Sequence, residues 1–329
     1  MDIVLLFPGQ GSQKPGMGKD LADAFPAAFE AFEAVDAALG APLSRLCFEG
    51  PAEELTLTHN AQPALLAHGA AAWAATRERL APHVRAAAGH SLGEFTAYHA
   101  AGALSLGDAA RLVRRRGELM YESGVQRPGA MAALLGDPSE PLEAICERAS
   151  AEAGLVVPAN YNSPGQTVIS GEVAGVERAM EIAKEKGVKR AVRLNVSGAF
   201  HSPLMEPAAR GLGEALDAAE FTDAGFPIYA NVTAEPVQGA ATARELLLAQ
   251  LTSPVRWTQV VERLAARFPS ALFVEMGPGT VLAGLVKKIA PGATVVPCGT
   301  AADVEKLLSE VAAAPAARAA SGPTAPSAA

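Results

Sequence analysis

One segment of the sequence has the residue types and spacing of a catalytic turn: Gly89-His90-Ser91-Leu92-Gly93, a G-x-S-x-G pattern. A predicted apolar strand over 84–88 precedes it, and a predicted helix follows it. A nucleophile elbow needs this context, because a sharp strand-to-helix turn exposes the serine hydroxyl. The N–H groups that begin the helix, Leu92 first, would then face charge that develops beside Ser91. The pattern predicts Ser91 as a nucleophile, and a glycine-rich turn with an incidental serine is the alternative.

A serine hydroxyl is a poor nucleophile until a base takes its proton. Among the six histidines, His201 lies in a predicted loop, 197–203, directly after a predicted strand. Catalytic groups gather in loops at strand ends in α/β folds. His201 is therefore a candidate base, and a solvated loop histidine fits the sequence equally well.

Arg116 occupies the middle of an apolar helical face that Leu112, Val113, Leu119 and Met120 define by their spacing. A guanidinium that points inward needs an anion from the protein or from a ligand. A bidentate clamp on a substrate carboxylate would satisfy it. An internal ion pair with Glu or Asp is the alternative that the spacing leaves open.

Composition excludes several classes of protein. Half of the 329 residues are apolar, which is enough for a sizeable core, and a net charge of −8 argues against a nucleic-acid partner. No apolar run reaches the ~18 residues that would span a membrane. The N-terminus lacks a signal-peptide pattern, and Cys47, Cys146 and Cys298 are far apart, so we predict a cytoplasmic protein without disulfides. No metal-ligand spacing is present, and we predict no metal site.

Short β-branched runs alternate with alanine-rich stretches of helical character, which is typical of an α/β fold. Strands are predicted over 3–7, 84–88, 227–230, 272–275 and 294–297, and helices over 26–39, 63–80, 107–121 and 253–267.

The middle of the chain has a different order of elements. We predict strand 130–135, helix 140–153, strands 155–159 and 167–170, helix 173–186 and strand 190–196. This βαββαβ order is ferredoxin-like. We therefore expect an α/β core over 1–125 and 197–312, an inserted subdomain at 126–196 and a site in the cleft between them. The stretch 313–329 is rich in Ala, Pro and Ser, which predicts a flexible tail.

Seven motifs over about residues 1 to 300 resemble, in the same order, those of the malonyl-CoA:acyl carrier protein transacylase family, the acyltransferases of fatty acid and polyketide synthesis. They are Phe7-Pro8-Gly9-Gln10-Gly11-Ser12-Gln13, Gly89-His90-Ser91-Leu92-Gly93-Glu94, Arg116-Gly117, Asn160-Tyr161-Asn162-Ser163-Pro164-Gly165-Gln166, Ala199-Phe200-His201-Ser202, Pro254-Val255-Arg256-Trp257 and Glu275-Met276-Gly277-Pro278-Gly279. The resemblance implies an α/β-hydrolase-like core that carries a ferredoxin-like insertion.

The resemblance also implies the catalytic roles. Ser91 would take the acyl group from coenzyme A, and His201 would act as base and then acid, oriented by a backbone carbonyl near Gln250. The backbone N–H groups of Gln10 and Leu92 would form the oxyanion hole.

Arg116 would hold the free carboxylate of malonate, so the resemblance favours the ligand over an internal ion pair. Phe200, Met120, Asn162 and Gln166 would lie in the substrate pocket. Phe200 would fill the volume of a 2-methyl group, which predicts a preference for malonyl over methylmalonyl groups.

The resemblance predicts a two-step transfer of a malonyl group from malonyl-CoA, through Ser91, to the phosphopantetheine thiol of an acyl carrier protein. We expect no cofactor, a carrier protein that acts in trans and a monomeric enzyme in the cytoplasm. Basic residues for carrier docking are candidates that also fit a solvated face, namely Lys184, Lys186, Lys189 and Arg190. The sequence does not distinguish a fatty acid from a polyketide pathway.

Two other classes of function remain open at this point. A serine hydrolase, such as an editing thioesterase, would use the same elbow but calls for an acid between Ser91 and His201 in sequence. Asp137 is a candidate for that acid, although it lies in the predicted insertion. A non-catalytic scaffold protein that keeps the fold is the other class.

Overall fold

Two β-sheets organise the computed structural model, which describes residues 1–196 and 198–313. The strands are β1 Ile3–Phe7, β2 Val84–Gly89, β3 Gly129–Leu135, β4 Val156–Ser163, β5 Gln166–Glu172, β6 Arg190–Arg193, β7 Ile228–Tyr229, β8 Pro236–Val237, β9 Leu272–Glu275 and β10 Thr294–Pro297. The helices are α1 Lys19–Ala24, α2 Pro26–Leu39, α3 Leu43–Glu49, α4 Ala52–Thr56, α5 Thr58–Leu80, α6 Gly93–Ala100, α7 Leu106–Gln126, α8 Leu142–Ala153, α9 Val173–Glu185, α10 Glu206–Ala218, α11 Ala240–Ala249, α12 Trp257–Arg267, α13 Val281–Ile289 and α14 Ala301–Ala313. Within the described residues, no helix has both the length and the apolar character that crossing a membrane requires.

The larger sheet is centred on β1 and has the strand order β10-β9-β1-β2-β7-β8. β1 pairs in parallel with β2 and with β9, and β8 pairs antiparallel with β7 at one edge. Ile3, Leu5 and Phe7 of β1 face a cluster with α2, α5 and α7, whereas Val4 and Leu6 face a second cluster with α12 and α13. A parallel strand that is covered on both faces is an unbroken apolar run, and Ile3–Phe7 is such a run.

The smaller sheet is antiparallel, with the order β4-β5-β3-β6. Helices α8 and α9 pack against it around an apolar core of its own, which includes Ala132, Leu134, Ile145, Val176 and Ile182. The sequence of elements is βαββαβ, so the predicted ferredoxin-like part is confirmed. These elements span 129–193, and the boundaries of the predicted subdomain, 126 and 196, stay predictions.

Strand β4 connects the two parts of the molecule. The N–H of Tyr161 donates to the carbonyl of Val255 and the N–H of Val255 donates to the carbonyl of Ala159, both at 2.9 Å. The Thr258 hydroxyl adds a 3.0 Å bond to the carbonyl of Tyr161. These bonds fix the smaller sheet beside the loop that leads into α12, so one face of β4 borders the cleft between the sheets.

Several element ends differ from the prediction. Helix α5 begins at Thr58 and contains Pro63, where the prediction places the first helical residue. Proline removes one helical N–H, and here the burial of Thr58, Ala61 and Gln62 against the core outweighs that loss. Helix α14 runs to Ala313, the first residue of the predicted tail, and the rest of that tail lies outside the described residues.

Candidate active site

Ser91 lies at the tip of the turn between β2 and α6, with a φ of 52° in the left-handed region. A Cβ atom on Gly89 would lie 1.8 Å from the carbonyl carbon of Gly93, and one on Gly93 would lie 2.1 Å from the carbonyl oxygen of Phe7. Both positions therefore require glycine, because a side chain would collide with the backbone. The turn has the strand–turn–helix geometry that the pentapeptide predicts.

Asn231 braces this turn from the loop after β7. Its Oδ1 accepts the N–H of Ser91 at 2.7 Å, and its Nδ2 donates to the carbonyl of Gly89 at 2.7 Å. Its side chain is fully buried. A left-handed conformation costs a non-glycine residue roughly 1–3 kcal/mol, and these two buried hydrogen bonds offset that cost.

The Ser91 hydroxyl is hydrogen-bonded to His201, with 2.8 Å between Oγ and Nε2. The other ring nitrogen, Nδ1, lies 2.9 Å from the backbone carbonyl of Gln250. A carbonyl oxygen only accepts, so Nδ1 carries the proton and Nε2 is free to accept the one on Oγ. The loop histidine that the sequence leaves ambiguous thus lies within proton-transfer distance of Ser91, and a carbonyl orients it in place of an acid.

His201 is a buried, neutral base at rest. Burial lowers its pKa from 6.5 to about 3, and the nearby Arg116 cation acts in the same direction. The bond to Gln250 opposes this shift because it stabilises the protonated ring. At neutral pH the imidazole is therefore neutral, and its Nε2 can accept the Ser91 proton.

Arg116 is 1% exposed and points from α7 to the same place. Nη2 donates to Ser91 Oγ at 3.0 Å and to Gln250 Oε1 at 2.9 Å, and Nη1 donates to Gln62 Oε1 at 2.7 Å. The approach of α7 to α5 depends on Gly117, where a Cβ atom would lie 2.6 Å from the Cα of His59. The Arg116-Gly117 pair thus places a guanidinium against the serine.

No carboxylate of the described residues lies within ion-pair distance of Arg116. The internal ion pair that the sequence leaves open is therefore not formed. Burial lowers the pKa of Arg116 to about 9, and the charge of Glu94 opposes this. The guanidinium remains cationic at neutral pH, and its amide partners are uncharged. It can therefore bind an anion beside Ser91.

A cavity of about 200 Å³ opens at Ser91 between the two sheets, and we call it the reaction cavity. The larger part of the molecule supplies its polar groups and the smaller sheet supplies much of its apolar wall. Its lining residues are Gln10, His90, Ser91, Leu92, Arg116, Met120, Met131, Asn160, Asn162, Val168, Leu194, Val196, Phe200 and His201.

Eight of the ten predicted site residues line this cavity, and Gln250 and Gln166 do not. Gln250 lies behind the cavity, fully buried, and contacts it through Arg116 and His201. Gln166 pairs with Ser163 and Leu135 at the start of β5. Its side chain is on the same face of β5 as that of Val168, but Gln166 is two residues closer to the start of the strand and lies beyond the cavity. Gln166 is therefore not among the residues that line the reaction cavity, and its role in the substrate pocket stays a prediction.

Several residues that hold the site together were not predicted from the sequence. Gln62, Glu94 and Asn231 bond to Arg116, Gln250 and Ser91 respectively. His90, the residue before Ser91, also lines the cavity, and its Nε2 lies 2.9 Å from Asn162 Oδ1. Asn231 directly follows a predicted strand, 227–230, and its position at the carboxyl end of that strand was an available signal.

The fold and the site together define the class of protein: an α/β-hydrolase-like core with a ferredoxin-like insertion, whose paired serine and histidine suit acyl chemistry. A family model described as "Acyl transferase domain" matches residues 4–315. The malonyl CoA-acyl carrier protein transacylase of Bacillus subtilis strain 168 is 51% identical over 288 residues, 87% of this chain and 90% of that protein. Its counterpart in Escherichia coli K12 is 42% identical over 287 residues, 87% of this chain and 92% of that protein.

Solved structures agree. An acyl-carrier-protein-S-malonyltransferase from Bartonella henselae is 44% identical, with a TM-score of 0.89, over 95% of this chain and 100% of that one. A type II PKS acyl-carrier protein in complex with its malonyl-transacylase matches at 39% identity and a TM-score of 0.88, over 94% of this chain and 100% of that one. The chain belongs to the acyl transferase domain family.

Proposed function

We propose that this chain transfers a malonyl group from malonyl-CoA to the phosphopantetheine thiol of an acyl carrier protein, through an ester on Ser91. The observation that carries the proposal is the buried guanidinium of Arg116, 3.0 Å from the Ser91 oxygen and without a carboxylate partner in the described chain. Such a cation favours an acyl group that has its own carboxylate. The relatives are named as malonyl transacylases, and one is solved with an acyl-carrier protein, which supports this choice.

The first step acylates Ser91. His201 Nε2 takes the hydroxyl proton while Oγ attacks the thioester carbonyl of malonyl-CoA. The backbone N–H groups of Gln10 and Leu92, both at the reaction cavity, stabilise the oxyanion. The tetrahedral intermediate collapses, the C–S bond breaks, and the protonated His201 returns its proton to the departing thiolate of coenzyme A.

The second step reverses these roles. His201 takes the proton of the carrier's phosphopantetheine thiol, and the sulfur attacks the Ser91 ester. The C–O bond breaks and Oγ recovers its proton from His201, so the enzyme ends unchanged.

Arg116 holds the malonyl carboxylate during both steps. Gln62 and Gln250 fix the guanidinium through Nη1 and Nη2, so the carboxylate meets a cation whose orientation is already set. Met120 and Phe200 close the apolar side of the reaction cavity. One extra methyl group changes selectivity by about 1–3 kcal/mol, so Phe200 sets a preference against methylmalonyl and not an exclusion.

The proposal uses no metal or organic cofactor, and it includes a monomeric enzyme in the cytoplasm. The carrier protein acts in trans, and its pathway is fatty acid or polyketide synthesis.

The test follows a radiolabelled malonyl group from malonyl-CoA with a purified holo-carrier protein present and absent. The proposal expects the label on the carrier protein, in an amount that depends on the enzyme, with little free malonate. Label released to water at the same rate with and without carrier protein would contradict it and favour a hydrolase.

A further inference from the structure

The described residues contain a buried carboxyl group beside the reaction cavity that the proposed mechanism does not use. Glu94 lies in the first turn of α6 and is 1% exposed. No lysine, arginine or histidine of the described chain lies within ion-pair distance of it. Burial of a carboxyl group lowers the stability of the fold unless hydrogen bonds compensate, so the hydrogen-bond partners of Glu94 indicate its role.

One oxygen of Glu94 makes both of its hydrogen bonds. Oε2 accepts from Gln250 Nε2 at 2.7 Å and from the N–H of Asn231 at 3.1 Å, whereas Oε1 has no partner among the described residues. Asn231 braces the Ser91 turn, as described above. Glu94 therefore contacts two residues that each hold part of the site, and it touches neither the reacting atoms nor the cavity.

Gln250 connects Glu94 to three groups of the site. Its Nε2 also donates to the carbonyl of Ser91 at 3.0 Å, its Oε1 accepts from Arg116 at 2.9 Å, and its backbone carbonyl orients His201 at 2.9 Å. One residue thus positions the candidate base and the cation together.

The two ends of the Gln250 amide are distinguished by their neighbours. An ionised carboxylate only accepts hydrogen bonds, and a carboxyl group with its proton on Oε1 still offers Oε2 as an acceptor, whereas a guanidinium only donates. A reversed amide would place its oxygen against Glu94 and its NH₂ group against Arg116, and both contacts would be repulsive. Glu94 and Arg116 therefore select the same orientation of Gln250 from opposite ends.

We propose that Glu94 is a positioning residue for the acyl transfer: it holds Gln250 in the orientation that aligns His201 with Ser91 and fixes Arg116. This inference rests on the proposed function for its kinetic consequence, but its geometric consequence, the His201 bond to Gln250, does not.

The kinetic test compares Glu94→Ala with Glu94→Gln. The alanine variant removes the acceptor for Gln250, so acylation of Ser91 by malonyl-CoA should slow by about 10- to 100-fold in quenched-flow mass measurements. The glutamine variant offers an amide oxygen at the same place, so it should recover most of the rate, to within about fivefold of the parent enzyme. If alanine prevents folding, Glu94→Asp, whose shorter side chain does not reach Gln250, takes its place with the same expected loss.

Glu275 supplies the matched control. It is also fully buried, and it accepts the N–H groups of Leu282 and Ala283 at the start of α13, outside the reaction cavity. Glu275→Ala should lower the melting temperature and leave the acylation rate as it is. Equal rate losses in the Glu94→Ala and Glu275→Ala variants would mean that Glu94 acts through general stability, which would overturn the proposal.

A second readout does not depend on malonyl transfer. In ¹⁵N-histidine-labelled protein, the Nδ1–H resonance of His201 reports its bond to the carbonyl of Gln250. The resonance should be preserved in Glu94→Gln and shifted or lost in Glu94→Ala. An unchanged resonance and rate in Glu94→Ala would refute the positioning role. A parent enzyme that is not acylated, with a resonance that still responds to Glu94, would instead refute the proposed function alone.

Discussion

The two walls of the reaction cavity are built in different ways. On the side of the larger sheet, Ser91, Arg116, His201 and Gln250 are joined by hydrogen bonds of 2.8 to 3.0 Å, and all but Ser91 are buried. On the side of the smaller sheet, the lining is mostly apolar, with Met131, Val168 and Leu194 beside Asn160 and Asn162. One wall fixes charges and protons, whereas the other shapes the space that they act in.

This difference predicts that substitutions in the two walls have effects of different size. Changes in the hydrogen-bonded wall remove a proton acceptor or a charge that nothing else supplies. Changes in the opposite wall alter the fit of the acyl group, and one of them removes the hydrogen bond between Asn162 and His90.

Replacing His201 by alanine removes the group that takes the Ser91 proton. General base catalysis contributes about 10²- to 10⁴-fold, so acylation by malonyl-CoA should fall by that factor, while the protein still folds. Burst-phase mass spectrometry measures the rate. His99→Ala is the control, because His99 bonds to the carbonyl of Leu104 and does not line the reaction cavity. A His201→Ala enzyme whose acylation rate stays within a few-fold of the parent's would show that His201 is not the base.

Replacing Arg116 by alanine removes the cation. Malonyl transfer should fall by about 10²- to 10³-fold, because the substrate carboxylate then enters a buried site without a partner. Acetyl transfer should fall much less. Arg115→Ala is the matched control on the same helix, since Arg115 is exposed and paired with Glu118. Competition between malonyl-CoA and acetyl-CoA gives the ratio of the two transfer rates directly. Equal losses for the two acyl groups would show that Arg116 does not hold the substrate carboxylate.

The acid limb of the acylation rate tests the electrostatics of the hydrogen-bonded wall. An ordinary histidine, with a pKa near 6.5, would lose its base form as the pH falls below that value, by about 30-fold at pH 5. The pKa of His201 is lowered to about 3, so the base form persists and the rate at pH 5 should stay close to its value at pH 7. Burial raises the pKa of Glu94 to about 7, and its proton can sit on the unpartnered Oε1 without disturbing Gln250.

The measurement is a pH jump from pH 7 followed by quenched acylation, which keeps slow unfolding out of the result. A limb centred near pH 6.5 would show that His201 is solvated in the working enzyme.

Replacing Asn162 by alanine tests the wall of the smaller sheet. The change removes the acceptor for His90 Nε2 and leaves the Ser91 contacts in place, so malonyl transfer should fall by about 10-fold or less. Tyr161→Phe is the control, because the Tyr161 hydroxyl contacts Glu143 on the outer side of the same strand. Steady-state kcat and KM with malonyl-CoA provide the comparison. A loss as large as that of His201→Ala would erase the distinction between the walls.

Local patterns in the sequence predicted the features that depend on local contacts. The apolar run 3–7 predicted a strand, which the structure confirms, and the strand is covered on both faces. The apolar face around Arg116 predicted an inward guanidinium, and it is 1% exposed. Two glycines four residues apart predicted the Ser91 turn, because the backbone closes there only without side chains.

The bracing residues could not be predicted in the same way. Asn231 bonds to Ser91 across 140 positions of sequence, and Glu94 bonds to Gln250 across 156. In a single sequence, a buried polar side chain cannot be told from an exposed one, because its burial depends on a hydrogen-bond partner that is distant in sequence. Strand register also limits what a motif can predict, because the register of β5 places Gln166 two residues before Val168, which does line the cavity.

Peptide mapping of the acylated enzyme shows whether Ser91 carries the malonyl group. The protein is mixed with malonyl-CoA, quenched in acid and digested, and the modified peptide is sequenced by tandem mass spectrometry. We expect one malonyl group on the peptide that contains Ser91 and none in the Ser91→Ala variant. A malonyl group on another residue, or an equal yield in Ser91→Ala, would contradict it.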